Sequence, residues 1–232
     1  MGVILMREVL QVLRDGQFHS GEALGAVLGV SRAAVWKRLE HLEAELGLEM
    51  HRVRGRGYKL ASPLSLLEPE AIVAACRAQG WEAQILDSVD STNAEVLRCL
   101  AAGAPAPFLV LAERQDSGRG RRGRQWVSPF AENLYYSLGL RLEGGVFSLD
   151  GLSPSVGLAV LRCLREQGVV ETGLKWPNDL LVAGRKIAGV LLELGLCQTL
   201  VEAEAMAKSI RPVINIKPDQ RLSLSRLYPE VS

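Results

Sequence analysis

Histidine is almost absent from this 232-residue sequence: His19, His41 and His51 are the only three, and all lie in its first quarter. The rest of the chain therefore cannot assemble a Ser-His-Asp triad or a His-based zinc-protease motif, which excludes the commonest hydrolase mechanisms there. Cysteine is sparse as well. Cys76, Cys99, Cys163 and Cys197 are far apart, without a C-x-x-C pair for zinc or redox chemistry, and are expected as reduced structural thiols. No apolar run approaches the roughly 18 residues of a membrane-spanning helix. The opening stretch carries Arg7, Glu8, Arg14 and Asp15 instead of a signal-peptide pattern. A soluble, cytoplasmic chain without a membrane partner is the expectation. Excess charge is missing too: the net charge is +1, so attraction to nucleic acid must come from local patches. Arg52, Arg54, Arg56 and Lys59 form one; Arg119, Arg121, Arg122 and Arg124 form another.

Helical periodicity opens the chain. Val3, Ile4, Met6, Val9, Leu10 and Leu13 recur on one face until Asp15-Gly16 stops the pattern. Ser20 is placed to cap a second helix carrying Leu24, Val27 and Leu28, and Gly29 to end it. Ser31 then caps a third carrying Val35, Leu39, Leu42 and Leu46. Two helices joined by so short a turn predict a helix-turn-helix, whose second helix would present Ser31, Arg32, Ala33, Ala34 and Lys37 to DNA bases. From Glu49 to Leu60 the side chains alternate around Gly55-Arg56-Gly57, predicting a hairpin wing whose Arg54 and Arg56 approach the phosphate backbone.

Pro63 and Pro69 interrupt the pattern and place a linker near residue 63. Beyond it, helical stretches (94–101, 153–167) alternate with short β-like runs (108–112, 134–142, 180–182, 188–194), predicting an α+β domain on a mixed or antiparallel sheet. The expected organisation is a winged helix-turn-helix over 1–62, a second domain over 63–194 and an atypical tail over 195–232.

Two segments concentrate chemistry. In Gln115-Asp116-Ser117-Gly118-Arg119-Gly120-Arg121-Arg122-Gly123-Arg124-Gln125-Trp126, glycines let the backbone approach a ligand while four arginines supply fixed positive charge. Lys175-Trp176-Pro177-Asn178-Asp179 packs a cation, a ring, a stiff turn and two polar groups into five positions. Ala183-Gly184 downstream predicts a hairpin that brings Lys186 back beside Lys175.

The motifs G-R-G-R-R-G-R-x-W, K-W-P-N-D-L and R-K-I-A-G-V-L-L-E-L, with D-S-T-N at Asp90 to Asn93, resemble those of the bifunctional biotin protein ligases from Met1 to about Leu194. The resemblance implies a biotin/lipoate ligase-like catalytic fold that joins biotin to ATP as biotinyl-5′-adenylate, with Mg²⁺. Biotin then passes to a lysine of the biotin carboxyl carrier domain of acetyl-CoA carboxylase. It further implies operator DNA as a partner, repression of biotin synthesis genes and a homodimer when ligand is bound. By the same resemblance, Ser91, Thr92, Asn93 and Gln115 hold biotin together with Arg119, Gly120, Arg121 and Lys186. Arg119, Arg121 and Lys186 are the expected catalytic cations; Trp126, Lys175, Asn178 and Asp179 face the nucleotide, Asp179 with a role at Mg²⁺. This suits the chemistry, because a carboxylate attacking an anionic α-phosphate needs oriented cations rather than a proton-transferring histidine.

After Leu194 the family continues with a Gly-x-Gly-x-Asn-type strand and a small β-barrel, and the motifs of neither follow here. The sequence therefore predicts an incomplete catalytic domain with an exposed sheet edge and no adenylate role for Asn215. The alternative reading is a biotin-responsive regulator with little or no ligase turnover.

Overall fold

The computed structural model of the protein describes residues 3–141, 151–194 and 209–216, with side chains over 7–140 and 151–193. The expectations placed on Leu142 and Cys197 lie outside those residues. The chain forms two compact units, one of Met1–Glu68 with Pro129–Glu132, the other of Pro69–Ser128 with Asn133–Ser232.

The first unit contains α1 (Val3–Leu13), α2 (Gly21–Leu28), α3 (Arg32–Leu46), β1 (Met50–Val53) and β2 (Gly57–Leu60). Its helix ends follow the capping chemistry of the sequence. Ser20 Oγ accepts the Ala23 N–H at 3.0 Å and Ser31 Oγ accepts that of Ala34 at 3.3 Å, while Gly29 and Gly47 end α2 and α3 in the left-handed conformation. Val9, Leu10 and Leu13 of α1 pack with Leu24 and Leu28 of α2, Val35, Leu39 and Leu42 of α3, Met50 and Leu60 of the hairpin, and Phe130. Each such side chain contributes roughly 1.5–3 kcal/mol by leaving water. Strands β1 and β2 pair antiparallel from Met50↔Leu60 to Val53↔Gly57. His19 adds a third row: its backbone N–H and C=O both bond Tyr58, each at 2.8 Å.

The second unit contains α4 (Pro69–Ala78), β3 (Glu82–Leu86), α5 (Thr92–Ala101), β4 (Phe108–Ala112), β5 (Leu134–Arg141), α6 (Leu152–Glu166), β6 (Thr172–Lys175), β7 (Asp179–Val182), β8 (Arg185–Leu194) and β9 (Ser209–Ile216). They build a seven-stranded sheet of order β3-β4-β5-β9-β8-β7-β6. Only β3 and β4 run parallel; every other neighbouring pair is antiparallel. The mixed sheet with helices is the α+β architecture expected. Val160 and Leu161 of α6 bury Leu180, Ile187, Ala188 and Val190 of β7 and β8. Ala183 and Gly184, both at positive φ, make the two-residue turn between those strands. Among the described residues no helix is long and apolar enough to cross a membrane.

One expectation about the tail is corrected. Residues 209–216 form β9, which lies between β5 and β8 in the interior of the sheet order. The edge expected beside β8 is thus paired. Asn215 has a structural position, in register with Tyr135 on one side and Gly189 on the other. The physical reason is that ladder hydrogen bonds are made by backbone, so a segment without the family's glycines can still pair.

Candidate functional site

The second unit holds a buried polar recess at the start of α5. Ser91, Thr92, Asn93, Gln115, Ser128 and Ser137 are all buried. Gln115 Oε1 accepts both the backbone N–H and the hydroxyl of Thr92, at 2.9 and 3.0 Å; Thr92 Oγ1 also bonds Ser137 Oγ at 2.8 Å. Gln115 Nε2 donates to Ser128 Oγ at 3.0 Å, which in turn donates to the Trp126 carbonyl at 3.1 Å. Ser91 occupies the N-cap position of α5, yet its side chain makes no cap bond.

Asn93 is the exception within this satisfied network. It is 1% exposed, and neither its amide oxygen nor its amide nitrogen has a hydrogen-bond partner. An unpaired buried polar group costs about 1–3 kcal/mol, which makes an amide with two orphan atoms a candidate contact for a polar ligand. The entry to the helix is fixed beside it: Asp90 accepts from Arg98 at 2.7 and 3.0 Å and from the Ser91 N–H at 2.7 Å. The Arg98 guanidinium holds the Asp90 carboxyl down at about 2, well below the usual carboxylate value.

The arginine segment closes into a turn over an open cleft of about 380 Å³. Gly120 N–H bonds the Arg124 carbonyl at 2.7 Å, residues 121–123 form a short 3₁₀ turn, and Arg119 bridges Gln125. Arg119, Gly120, Arg121, Trp126, Asn178, Asp179 and Lys186 all line the cleft. Arg121 donates to Asn178 Oδ1 at 2.9 Å, Asn178 Nδ2 donates to the Val190 carbonyl at 2.9 Å, and Arg119 lies 3.4 Å from Glu193. Lys186 Nζ stands 2.7 Å from Asp179 Oδ1 and 5.1 Å from the centroid of the Trp126 ring. Gly118 joins the recess to this turn. A Cβ there would come within 2.4 Å of the Trp126 carbonyl, 2.7 Å of Ser128 Oγ and 3.2 Å of Gln115 Nε2.

Lys175 does not join them. It ends β6 in register with Asp179, exposed and outside the cleft lining. The expected juxtaposition of two lysines is corrected: the turn at Ala183-Gly184 sets Lys186 against the carboxylate of Asp179, where opposite charges attract. Asp179 is therefore committed to a lysine. Among the described residues no three His, Cys, Asp or Glu side chains are placed to hold a metal ion. Two neighbours were given no role in the sequence: Glu193, which lies within the R-K-I-A-G-V-L-L-E-L motif and pairs with Arg119, and Ser128, which bonds Gln115 and the Trp126 carbonyl.

On the first unit, Arg32, Ala33 and Lys37 are exposed along α3, and Arg54 and Arg56 along the wing. Ser31 spends its hydroxyl on the cap of Ala34, which is half-buried. Arg52 is withdrawn from the basic patch by an ion pair with Glu43. Arg56 stacks 4.2 Å and Lys59 5.6 Å from the Phe18 ring centroid.

The second unit thus carries a cation-lined cleft and a buried polar cluster on one mixed sheet. The chain belongs to the biotin/lipoate A/B protein ligase family, whose model matches residues 85–204, and a helix-turn-helix domain model matches residues 6–59. It is 41% identical over 187 residues to the bifunctional ligase/repressor BirA of Escherichia coli strain K12, covering 81% of this chain and 57% of that protein. It is 33% identical over 180 residues to the protein of the same name from Bacillus subtilis strain 168, covering 77% of this chain and 55% of that one. The chain thus spans little more than half the length of these curated relatives. Among solved structures, the biotin protein ligase from Aquifex aeolicus in complex with biotin and ATP superposes with a TM-score of 0.47 at 27% identity, over 63% of this chain and 60% of that one.

Proposed function

We propose that the chain activates biotin with ATP and transfers it to a lysine of the biotin carboxyl carrier domain of acetyl-CoA carboxylase. Its winged helix-turn-helix binds operator DNA and represses biotin synthesis genes. The observation that carries the reading is Asn93, a fully buried amide without partners, next in the chain to Thr92, whose partner Gln115 opens the segment that carries the cleft's arginines.

In this reading the ureido ring of biotin takes up the Asn93 amide, beside Ser91, Thr92 and Gln115. Its carboxylate reaches the turn that carries Arg119, Gly120 and Arg121. A carboxylate oxygen attacks the α-phosphorus of ATP and pyrophosphate leaves, giving the mixed anhydride biotinyl-5′-adenylate. Arg119, Arg121 and Lys186 offset the negative charge gathered in that step; two guanidinium forks and an ammonium suit carboxylate and phosphate oxygens. Trp126 and Asn178 face the nucleotide. The carrier lysine then attacks the acyl carbon, forming an amide and releasing AMP. Mg²⁺ would neutralise charge on the nucleotide phosphates, and Asp179, now paired with Lys186, is the acid of the cleft that would face it.

The cations of α3 and the wing support operator binding, and ligand-linked dimerisation is part of the proposal. The test is purified protein with biotin, ATP, Mg²⁺ and a carrier domain. Pyrophosphate release with stoichiometric biotinylation is expected, whereas biotin binding without either product overturns the ligase reading.

A further inference from the structure

The first unit exposes an aromatic that its core does not need. In α3 the buried residues Val35, Leu39 and Leu42 define the inward stripe, and the exposed positions of the first turns are Arg32, Ala33, Trp36 and Lys37. Trp36 is 44% exposed. It stands one turn beyond Arg32 and Ala33 and next to Lys37, while the first exposed acidic side chain of the helix, Glu40, comes a turn later.

The side of the helix that carries Trp36 is also the side of the wing. A Cβ built on Gly21 would lie 3.2 Å from both Arg32 Cγ and Tyr58 Cε2, so the start of α3 meets strand β2 across the start of α2. Trp36 follows Arg32 on that flank. The exposed cations around it, Arg32 and Lys37 on the helix and Arg54 and Arg56 in the hairpin, with the half-buried Lys59 beside them, match a polyanion rather than an apolar protein face.

We infer that Trp36 is a specificity-determining residue, reading thymine by apolar contact of its indole with the 5-methyl group in the major groove. This rests on the operator-binding reading proposed above. The major-groove edge of thymine is unique in carrying a methyl group, and apolar side chains near the N-terminal end of a recognition helix are placed to meet it. Apart from its single N–H donor, an indole presents an apolar ring edge, the surface that suits that methyl group. Arg32 and Lys37 on either side add positive charge that draws in DNA of any sequence.

The test uses the full chain with biotin, ATP and Mg²⁺ to select binders from a random-sequence duplex pool. The winning duplex is then resynthesised with deoxyuridine replacing each thymidine in turn, a change that removes only the methyl group. Wild type is expected to bind about fourfold more weakly for each contacted methyl lost. Trp36→Ala should bind the thymidine and deoxyuridine forms of those positions equally, and Trp36→Phe should keep part of the discrimination. The inference is overturned if Trp36→Ala discriminates as wild type does, or if wild type ignores every replacement. Failure of the underlying reading looks different: no duplex is enriched, or Lys37→Ala and Arg56→Ala bind as wild type does.

Discussion

The ammonium of Lys186 stands 2.7 Å from a carboxylate oxygen of Asp179, so the cation expected at the reacting phosphate is held in place by the acid beside it. The pair is partly exposed, with side chains 41% and 25% accessible, and so contributes at most about 1 kcal/mol to stability. Its value is positional. Lys186→Ala should lower pyrophosphate release at saturating biotin and ATP by about 100-fold or more, while the melting temperature barely moves. A variant that turns over normally would remove Lys186 from the reaction.

Asn93 should behave in the opposite way. Replacing a buried amide that has no partner by an apolar side chain of similar size relieves a desolvation cost. Asn93→Leu is expected to gain about 1 kcal/mol, or about 2–4 °C in melting temperature for a unit of this size. Biotin affinity should fall at least about tenfold, the worth of one lost hydrogen bond to a buried polar group. Calorimetric titration and a thermal melt of the same sample check both.

Asp90 gives an acid limb to stability. Its folded value, about 2, lies below the unfolded carboxylate value, so its contribution is complete above about pH 5 and is lost as pH falls through 2. Wild type should therefore melt higher than Asp90→Asn at pH 6, with the gap closing toward pH 2. A gap that stays constant across a melting series from pH 6 to 2 would count against the Arg98 pairing as its source.

The hairpin depends on Gly57. Its φ is +102°, and a Cβ there would stand 2.0 Å from the carbonyl oxygen of His19, whose backbone is tied to Tyr58. Gly57→Ala should cost more than about 2 kcal/mol and weaken DNA binding while leaving pyrophosphate release intact. Chemical denaturation followed by circular dichroism reads the first effect, and a product assay the second.

Arg56 should show its role in salt. Removing one phosphate contact lowers the slope of log affinity against log salt by about 0.9, so Arg56→Ala is expected to bind selected DNA more weakly and with a flatter salt dependence. Phe18→Leu, which removes the ring under Arg56 and Lys59, should weaken binding less and leave the slope unchanged, since both charges remain.

Local chemistry was legible in the sequence wherever one residue fixes one backbone group. Ser20, Ser31 and Gly29 set the helix ends, and Ala183-Gly184 set its hairpin, because caps and turns depend on neighbours in the chain. Strands β3 and β6 gave no usable pattern. Both lie at the edges of the sheet, and four consecutive positions of β3 are equally half-buried, so period-two alternation is absent. The place of β9 was not legible: Val213 to Ile216 reads as β-like, but its insertion between β8 and β5 depends on β5, which ends at Arg141, and pairing at such separation leaves no local mark. In the site, the arginine turn and Asn178 were readable from motifs. The choice of Asp179 over Lys175 as neighbour of Lys186 was not, because it depends on a register shift between Leu180 and Leu181.

Phe130 is buried in the core of the first unit, although some sixty residues separate it from Glu68 and it follows directly on the arginine turn in the chain. A graft that exchanges this winged helix for another by cutting only near residue 63 or 68 would strip one aromatic from the transplanted core. A working chimera has to carry two segments, the N-terminal stretch and Pro129–Glu132, as a single cassette.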